Sequence, residues 1–184
     1  MVGEGGGTPP TGGERRRQPS VRLGILSDTH GLLHPEVLDV FGKVDLILHA
    51  GDVGDPDVLR QLELVAAPVT AVYGNVDGSV LRQRLPRVAE LKVNGFVFVV
   101  MHGDQYGFPS PRDLKAAFPD ADVVVFGHTH RAVLHDFPDF SLAVNAGSAG
   151  RADPTGSALP PSVVIMETEP GIPPQGRVVL LALE

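Results

Sequence analysis

The chain of 184 residues contains no cysteine and no tryptophan, and aromatic residues make up only 5% of it. The absence of cysteine excludes disulfides, iron–sulfur clusters and thiolate zinc sites. A bound metal would therefore have histidine, carboxylate, amide and water ligands, which suit Mn²⁺, Fe²⁺, Zn²⁺, Co²⁺ and Ni²⁺. Because aromatic side chains are scarce, Val, Leu, Ile and Ala must fill most of the core.

Long apolar runs and excess basic charge are also missing. No run reaches the roughly 20 residues that a membrane-spanning helix needs, and the N-terminus lacks the apolar core of a signal peptide. We therefore expect a cytoplasmic protein that does not contact membranes. The net charge of −7 argues against a general nucleic-acid-binding surface. It is compatible with a small phosphorylated substrate, because bound cations can reverse the local electric field.

The composition divides the chain into two parts. Residues 1–20 are rich in Gly, Pro and Thr and carry few apolar side chains, so they predict a disordered tail. Residues 21–184 have the length and apolar content of one domain with its own core. The chain shows no internal repeats. An exposed apolar hairpin could support a homo-oligomer.

The first half of this domain alternates apolar runs with helical patterns. Strands are predicted at 21–27, 44–50 and 69–73, with helices over 34–44 and 55–65 between them. This βαβαβ order predicts parallel strands joined by right-handed crossovers.

The second half is mostly antiparallel in pattern. Asn94-Gly95 between two alternating runs is a strong hairpin signal. A helix over 109–119 and a strand over 122–126 follow, then a hairpin over 132–147 and another over 161–184 with a long Gly/Pro connection. The whole pattern predicts an α/β fold with two packed mixed sheets flanked by helices.

Small polar clusters follow five of the predicted strands. They are Asp28-Thr29-His30, Gly51-Asp52, Gly74-Asn75-Val76-Asp77, His102-Gly103-Asp104 and Gly127-His128-Thr129-His130. Ligands collect outside the carboxyl ends of strands in open α/β sheets, and residues i and i+2 of an extended segment point to the same side. Each cluster alone is typical of a polar turn, but five together at strand ends indicate a metal site.

In this order the clusters resemble the motifs D-x-H, G-D, G-N-x-D, H and G-H-x-H of the calcineurin-like metallophosphoesterase superfamily. The segments "ILSDTHG" (25–31) and "NAGSAG" (145–150) look most like its compact prokaryotic phosphodiesterase branch. The retromer subunit of the same fold is a more distant relative. The resemblance covers roughly residues 21–184 and implies a four-layer αββα fold.

The resemblance also implies roles for individual residues. Asp28, His30 and His130 would bind one divalent cation, and Asn75, His102 and His128 a second, with Asp52 bridging both. A hydroxide shared by the two ions would attack phosphorus in line, so Asp52, Asn75 and His102 count among the catalytic residues. Mn²⁺ is the first choice of metal, with Fe²⁺, Zn²⁺, Ni²⁺ or Co²⁺ as alternatives. Asp77 and Asp104 are expected to orient the ligating imidazoles.

One position departs from the pattern of much of the superfamily. A histidine that can protonate the leaving oxygen often follows the motif asparagine, but here that position is Val76. Valine cannot transfer a proton. We therefore expect a preference for activated phosphodiesters over alkyl monoesters.

Other residues keep two interpretations at this stage. His49 is expected to be buried and hydrogen-bonded rather than a ligand. His34 is expected at the surface, with contact to the substrate as the alternative. The "NAGSAG" loop either donates hydrogen bonds near the site or only turns the chain. Arg131 and Arg151 are interpreted as surface cations that could also attract phosphate.

Three functions fit the sequence. The first is a binuclear metal-dependent phosphoesterase, chiefly a phosphodiesterase, that acts on a small phosphoester. The second is a non-catalytic, metal-binding interaction scaffold of the same fold, as the retromer resemblance allows. The third, a metal-dependent nuclease, fits the site but not the acidic charge of the chain.

Overall fold

The computed structural model describes residues 19–65, 67–139, 141–150 and 159–182. Most of the predicted N-terminal tail, residues 1–18, and the predicted surface cation Arg151 lie outside these ranges. None of the helices in the described ranges has both the length and the apolar character needed to cross a membrane.

The described residues form ten strands, four α-helices and one short 3₁₀ helix. The strands are β1 (Val21–Leu26), β2 (Leu46–Ala50), β3 (Val69–Val72), β4 (Val88–Val93), β5 (Phe96–Met101), β6 (Val123–Phe126), β7 (Ala132–Asp136), β8 (Leu142–Ala146), β9 (Ser162–Glu169) and β10 (Ile172–Leu180). The helices are α1 (Glu36–Val40), α2 (Pro56–Glu63), α3 (Ser79–Arg84) and α4 (Pro111–Ala117), and the 3₁₀ helix is Asp104–Tyr106.

The strands form two five-stranded mixed sheets. In the first sheet, the order is β10-β9-β1-β2-β3, with β1, β2 and β3 parallel. In the second sheet, the order is β4-β5-β6-β8-β7, with β5, β6 and β8 parallel. The predicted βαβαβ opening, the Asn94-Gly95 hairpin and the β7–β8 hairpin are confirmed.

The core lies between the sheets and continues under the helices on both outer faces. Leu48 and Val72 of the first sheet and Phe98 and Val125 of the second share the central cluster. A second cluster packs α1 and α2 on the first sheet, and a third includes Leu114 of α4 on the second. These layers confirm the predicted four-layer αββα arrangement.

Three local predictions differ from the structure. The long Gly/Pro connection predicted in the last hairpin is a tight turn at 170–171, and Pro173 and Pro174 lie within β10. An edge strand tolerates proline because its outer N–H groups pair with no neighbouring strand, and the β9–β10 register shifts between Ile172 and Gln175. Helix α3 was not predicted, because it is short and Gly78 gives it no side-chain cap.

His34 is the third difference. The sequence predicts a surface position for this residue, but only 2% of it is exposed. Its Nε2 lies 3.0 Å from the carbonyl oxygen of Ala182, so the imidazole ties the loop before α1 to the end of the described chain.

Candidate metal centre

The five predicted polar clusters meet at one edge of the molecule, outside the carboxyl ends of β1, β2, β3, β5 and β6. Backbone pairing continues past the strand ends. The Asp28 N–H donates to the carbonyl oxygen of Gly51 at 3.0 Å, and the His30 N–H donates to that of Asp52 at 3.0 Å. These backbone hydrogen bonds join the loop that carries Asp28 and His30 to the loop that carries Asp52.

An unusual backbone conformation is shared by five of the seven predicted ligands. Their φ angles are positive: Asp28 at 56°, His30 at 48°, Asp52 at 52°, His128 at 68° and His130 at 55°. Non-glycine residues rarely adopt this region, and each such conformation costs about 1–3 kcal/mol. Strain of this kind concentrates at functional sites, where the surrounding structure holds the backbone in place.

The first group of candidate ligand atoms comes from Asp28, His30 and His130. The Nε2 atoms of the two histidines are 3.1 Å apart, and the His130 Nε2 lies 3.2 Å from Asp28 Oδ1. Two imidazole nitrogens this close need a proton or a cation between their lone pairs. Asp28 and His130 are buried and His30 is half-buried, so a bound ion would be reached from the His30 side.

A second group of candidate ligand atoms comes from Asp28, Asp52 and His102. The His102 Nε2 lies 3.2 Å from Asp52 Oδ2 and 3.0 Å from Asn75 Oδ1. Asp28 belongs to both groups. The resemblance implied that Asp52 bridges two metals, and the structure adds Asp28 as a carboxylate that both groups share.

The hydrogen bonds of His102 test whether this donor set suits a cation. Its Nδ1 lies 2.9 Å from the carbonyl oxygen of Ala50, which can only accept, so Nδ1 must carry the hydrogen. The Nε2 atom then faces Asp52 and Asn75 oxygens, which repel its lone pair unless a proton or metal ion lies between them. The residues therefore fit a divalent cation.

His128 and Asn75 lie at the outer side of the site. The His128 ring contacts the His102 ring edge-on, with centroids 5.1 Å apart, and its backbone N–H donates to the Asp28 carboxylate. The ring of Phe108, an exposed residue, stacks on the His128 ring, with centroids 5.6 Å apart. Asn75 is exposed, so the site opens to solvent at this side.

The pKa directions of His102 and Asp52 agree with a site that stabilises positive charge. Burial disfavours charge on His102, but its hydrogen bond to Asp52 and the nearby Asp28 and Asp52 carboxylates raise the pKa of its imidazole. Burial also opposes ionisation of Asp52, yet its hydrogen bond to His102 lowers the pKa of its carboxyl group. The pKa of His128 is lowered by burial and by His102. The cluster thus stabilises a cation beside Asp52.

Two glycines leave space that this packing requires. A Cβ at Gly74 would run into Asp52 Oδ1, and a Cβ at Gly127 would come within 2.8 Å of Asp28 Oδ2. Both approaches are closer than a real Cβ contact allows. The glycines before Asn75 and His128 therefore let the backbone approach the carboxylates.

Asp77 and Asp104 make contacts that differ from the expected ones. The Asp77 carboxylate accepts hydrogen bonds from the backbone N–H groups of Val53, Gly54 and Gly74 at 3.2, 2.7 and 2.8 Å. It thus joins the loops that carry Asp52 and Asn75, whereas the sequence predicts that it orients an imidazole. Asp104 instead forms an ion pair with Arg87 at 2.6 Å.

Sequence reasoning missed Arg82 as a support of the site. Its guanidinium donates to the carbonyl oxygens of Asp77 at 2.6 Å and Asn75 at 2.8 Å, and so holds the Asn75 loop. Arg82 lies on the unpredicted helix α3, so no sequence signal linked it to the site.

The "NAGSAG" loop donates hydrogen bonds at the site, which decides between its two interpretations. Asn145 is fully buried and donates to the Gly127 carbonyl oxygen at 2.9 Å and to Thr129 Oγ1 at 3.0 Å. The Ser148 hydroxyl donates to the Asp28 carbonyl oxygen at 2.8 Å. This loop therefore supports the segments that carry Asp28, His128 and His130.

His49 lies below the site and is fully buried, as the sequence analysis expected. Its Nε2 is 3.0 Å from Thr29 Oγ1, whose own hydrogen is directed to the Val53 carbonyl oxygen at 3.0 Å. His49 is therefore the donor in this pair. Burial lowers the pKa of His49 to about 4, so this imidazole is neutral near pH 7. The pKa of His102 shifts in the opposite direction.

Comparison with known proteins gives one consistent family. The model of the calcineurin-like phosphoesterase superfamily domain matches residues 21–171. A probable metallophosphoesterase of Methanothermobacter thermautotrophicus is 34% identical over 155 residues, 80% of this chain and 86% of the relative. A phosphodiesterase of Methanocaldococcus jannaschii is 29% identical over 145 residues, 69% of this chain and 83% of the relative.

A solved structure supports the same fold. Vacuolar protein sorting 29 from Cryptosporidium parvum superposes with a TM-score of 0.73 and 18% identity, over 89% of this chain and 98% of that one. At this identity the likeness concerns the fold alone. The extent of the family match together with the archaeal relatives shows that the chain belongs to the calcineurin-like phosphoesterase superfamily.

Proposed function

We propose that the chain is a binuclear metal-dependent phosphoesterase that hydrolyses small phosphodiesters. The observation that carries this proposal is the pair of candidate ligand groups that share Asp28, in which imidazole nitrogens lie within 3.2 Å of carboxylate and amide oxygens. Such a donor set suits two adjacent divalent cations.

The ligands divide between two proposed ions. Asp28, His30 and His130 would hold the first, and Asn75, His102 and His128 the second, with Asp52 between them. The chemistry that such ions supply when bound is activation of water and neutralisation of charge on the phosphoryl oxygens. Mn²⁺ is the first candidate, with Fe²⁺, Zn²⁺, Ni²⁺ and Co²⁺ as alternatives, because His, Asp and Asn sites accept several of these ions.

The chain itself supplies orientation. The Val76 N–H donates to Asp52 Oδ1 at 3.0 Å, which leaves Oδ2 directed at His102. The Ala50 carbonyl oxygen fixes the tautomer of His102, so that its Nε2 is free to bind a cation. Asn75 contributes an oxygen without adding negative charge.

The side chain at position 76 points to the substrate class. Val76 is 51% exposed at the mouth of the site and has no proton to donate to a leaving oxygen. Aryl and other good leaving groups need no such proton. The proposal therefore favours activated diesters over alkyl monoesters, and the phosphodiesterase of M. jannaschii supports the same class.

A metal titration joined to an assay tests the proposal. Metal-free protein is dialysed against Mn²⁺, bound ions are counted by elemental analysis, and hydrolysis of bis-p-nitrophenyl phosphate is followed. We expect two ions per chain and Mn²⁺-dependent hydrolysis that exceeds the rate on methyl phosphate. Greater activity on the alkyl monoester than on the diester would contradict the preference for diesters.

The second candidate function is a metal-binding interaction scaffold. The likeness to vacuolar protein sorting 29 in fold favours it. The same experiment separates the two functions. Two tightly bound ions with no hydrolysis of diesters or monoesters would favour the scaffold, whereas metal-dependent turnover lost in Asp52→Ala would favour the enzyme.

A further inference from the structure

We infer that Phe108 is a substrate-binding residue that stacks on a planar aromatic group of the phosphoester, such as a nucleobase. This inference rests on the proposed function and narrows its substrate class. Phe108 is 86% exposed, the largest exposed fraction among the large hydrophobic residues that the structure describes. Single exposed apolar side chains are common on protein surfaces, so the inference depends on where Phe108 lies.

The position of Phe108 links it to the metal centre. Its ring lies 5.6 Å from the His128 ring, centroid to centroid, with an angle of 29° between the planes. One face of the phenyl ring is thus turned to a predicted metal ligand. Phe108 therefore lies next to the metal centre, where a group attached to a bound phosphate could contact it.

Phe108 also lines a cleft. The apolar residues Pro109 and Phe126 line it as well, together with Thr129, which lies between His128 and His130 in the sequence, and Arg131. Apolar walls with a few polar groups are typical of sites that bind small organic ligands. Arg131 is exposed and adds a cation, which would favour an anionic ligand in a chain of net charge −7.

The loop that carries Phe108 is held at both ends. The 3₁₀ helix before it is anchored by the Asp104–Arg87 ion pair, and α4 after it begins with a capping box between Ser110 and Asp113. The segment that carries the Phe108 ring is therefore anchored on both sides. An aromatic surface that is already in place binds a base with less loss of entropy than one that must be ordered.

Binding of two product-like probes tests the inference without requiring turnover. AMP and ribose 5-phosphate carry the same phosphate and sugar but differ in the base. Their affinities for the Mn²⁺-loaded protein are measured by calorimetry. We expect the wild type to bind AMP about tenfold more tightly than ribose 5-phosphate, because stacking on one aromatic ring contributes an effect of that order.

Variants at position 108 test whether Phe108 causes the preference for AMP over ribose 5-phosphate. Phe108→Ala and Phe108→Leu should bring the affinity ratio close to one, because both remove the aromatic face and leucine retains apolar bulk. Phe108→Trp should keep or raise the ratio. Leu64→Ala is the matched control: Leu64 is 77% exposed, but it caps the end of α2 and belongs to none of the five polar clusters.

Equal affinities of the wild type for the two probes, no binding of either, or an unchanged ratio in Phe108→Ala would overturn the inference. The outcome is separable from the proposed function. Hydrolysis of bis-p-nitrophenyl phosphate without a base preference would refute only the role of Phe108. A base preference that depends on Phe108, without hydrolysis, would refute only the proposed esterase activity.

Discussion

The two sheets bring different chemistry to the same edge of the molecule. The first sheet contributes both carboxylates and the amide, Asp28, Asp52 and Asn75, together with His30. The second sheet contributes only imidazoles: His102, His128 and His130. Neither sheet alone carries both candidate ligand groups, since each group combines a carboxylate of the first sheet with an imidazole of the second.

This difference shows that the site depends on how the two sheets pack. The contact between His102 Nδ1 and the Ala50 carbonyl oxygen crosses from the second sheet to the first, and so does the contact between Asp28 and the His128 N–H. Apolar packing between the sheets brings these groups within reach, and the polar contacts then set the orientation of the ligands.

Removal of a carboxylate from the first sheet should have the largest effect. Asp52→Asn keeps the size of the side chain but removes the charge that a cation needs. Because loss of a group that merely orients a ligand costs about 10–100-fold, loss of the ligand itself should reduce Mn²⁺-dependent hydrolysis of bis-p-nitrophenyl phosphate more than about 100-fold.

Asp57→Asn is the control for this substitution. It makes the same charge change at an exposed carboxylate that pairs with Arg60 on α2. We expect its activity to stay within about twofold of wild type, because surface ion pairs contribute little. Activity of Asp52→Asn within tenfold of wild type would contradict the assignment of Asp52.

The second-largest loss of activity is expected from a substitution where the Asn75 loop closely approaches Asp52. Gly74→Ala would place a methyl group against Asp52 Oδ1 and displace the ligands. Overpacking of this kind costs about 1–3 kcal/mol of stability, and a shift of about 1 Å at a site can cost 100-fold in rate. We expect a 10–100-fold loss of kcat/KM for bis-p-nitrophenyl phosphate.

Gly78→Ala in the same loop is the control, because a Cβ there would meet nothing within 4 Å. It should lower kcat/KM by less than about twofold. If both alanine variants lose activity to the same extent, general loop flexibility rather than the contact with Asp52 is responsible.

His49 and His102 sharpen the comparison, because their pKa values shift in opposite directions. Burial lowers the pKa of both, but at His102 the hydrogen bond to Asp52 and the nearby carboxylates outweigh it. The pKa of His49 is about 4 when folded and about 6.5 when unfolded, so the unfolded state binds its proton first as the pH falls. His49 should therefore destabilise the fold by about 2 kcal/mol between pH 7 and pH 5.

Urea denaturation of metal-free wild type and His49→Leu across this range checks the prediction. The wild-type free energy of unfolding should fall more steeply than that of the variant by this amount. Parallel curves for the two proteins would mean that His49 keeps an ordinary pKa when folded.

The smallest expected effect is a gain. Val76→His introduces a proton donor at the mouth of the site. An evolved general acid contributes about 10²–10⁴-fold, so an unrefined one should raise kcat for methyl phosphate by about tenfold. Val80→His on the exposed face of α3 is the control and should leave this rate unchanged. No gain on the monoester would show that a missing proton is not what limits it.

The α/β class and the order of the polar clusters could be predicted from the sequence alone, because both depend on local patterns. Alternating apolar residues and turn residues predict strands and hairpins. Ligand-binding residues lie at the carboxyl ends of parallel strands, which the sequence also marks. Burial of His49 was likewise predictable from its place inside an apolar run. The prolines within β10 and the short helix α3 were not predictable. The edge position of β10 allows the prolines, and tertiary contacts rather than local sequence stabilise α3.

Only the tertiary structure decided which atoms meet. The left-handed backbone of Asp28, the sharing of this carboxylate by both groups, and the support from Arg82 and Asn145 join residues distant along the chain. The same holds for Phe108 against His128. Such contacts arise when the sheets and loops pack together, and side-chain spacing along a strand contains no information about them.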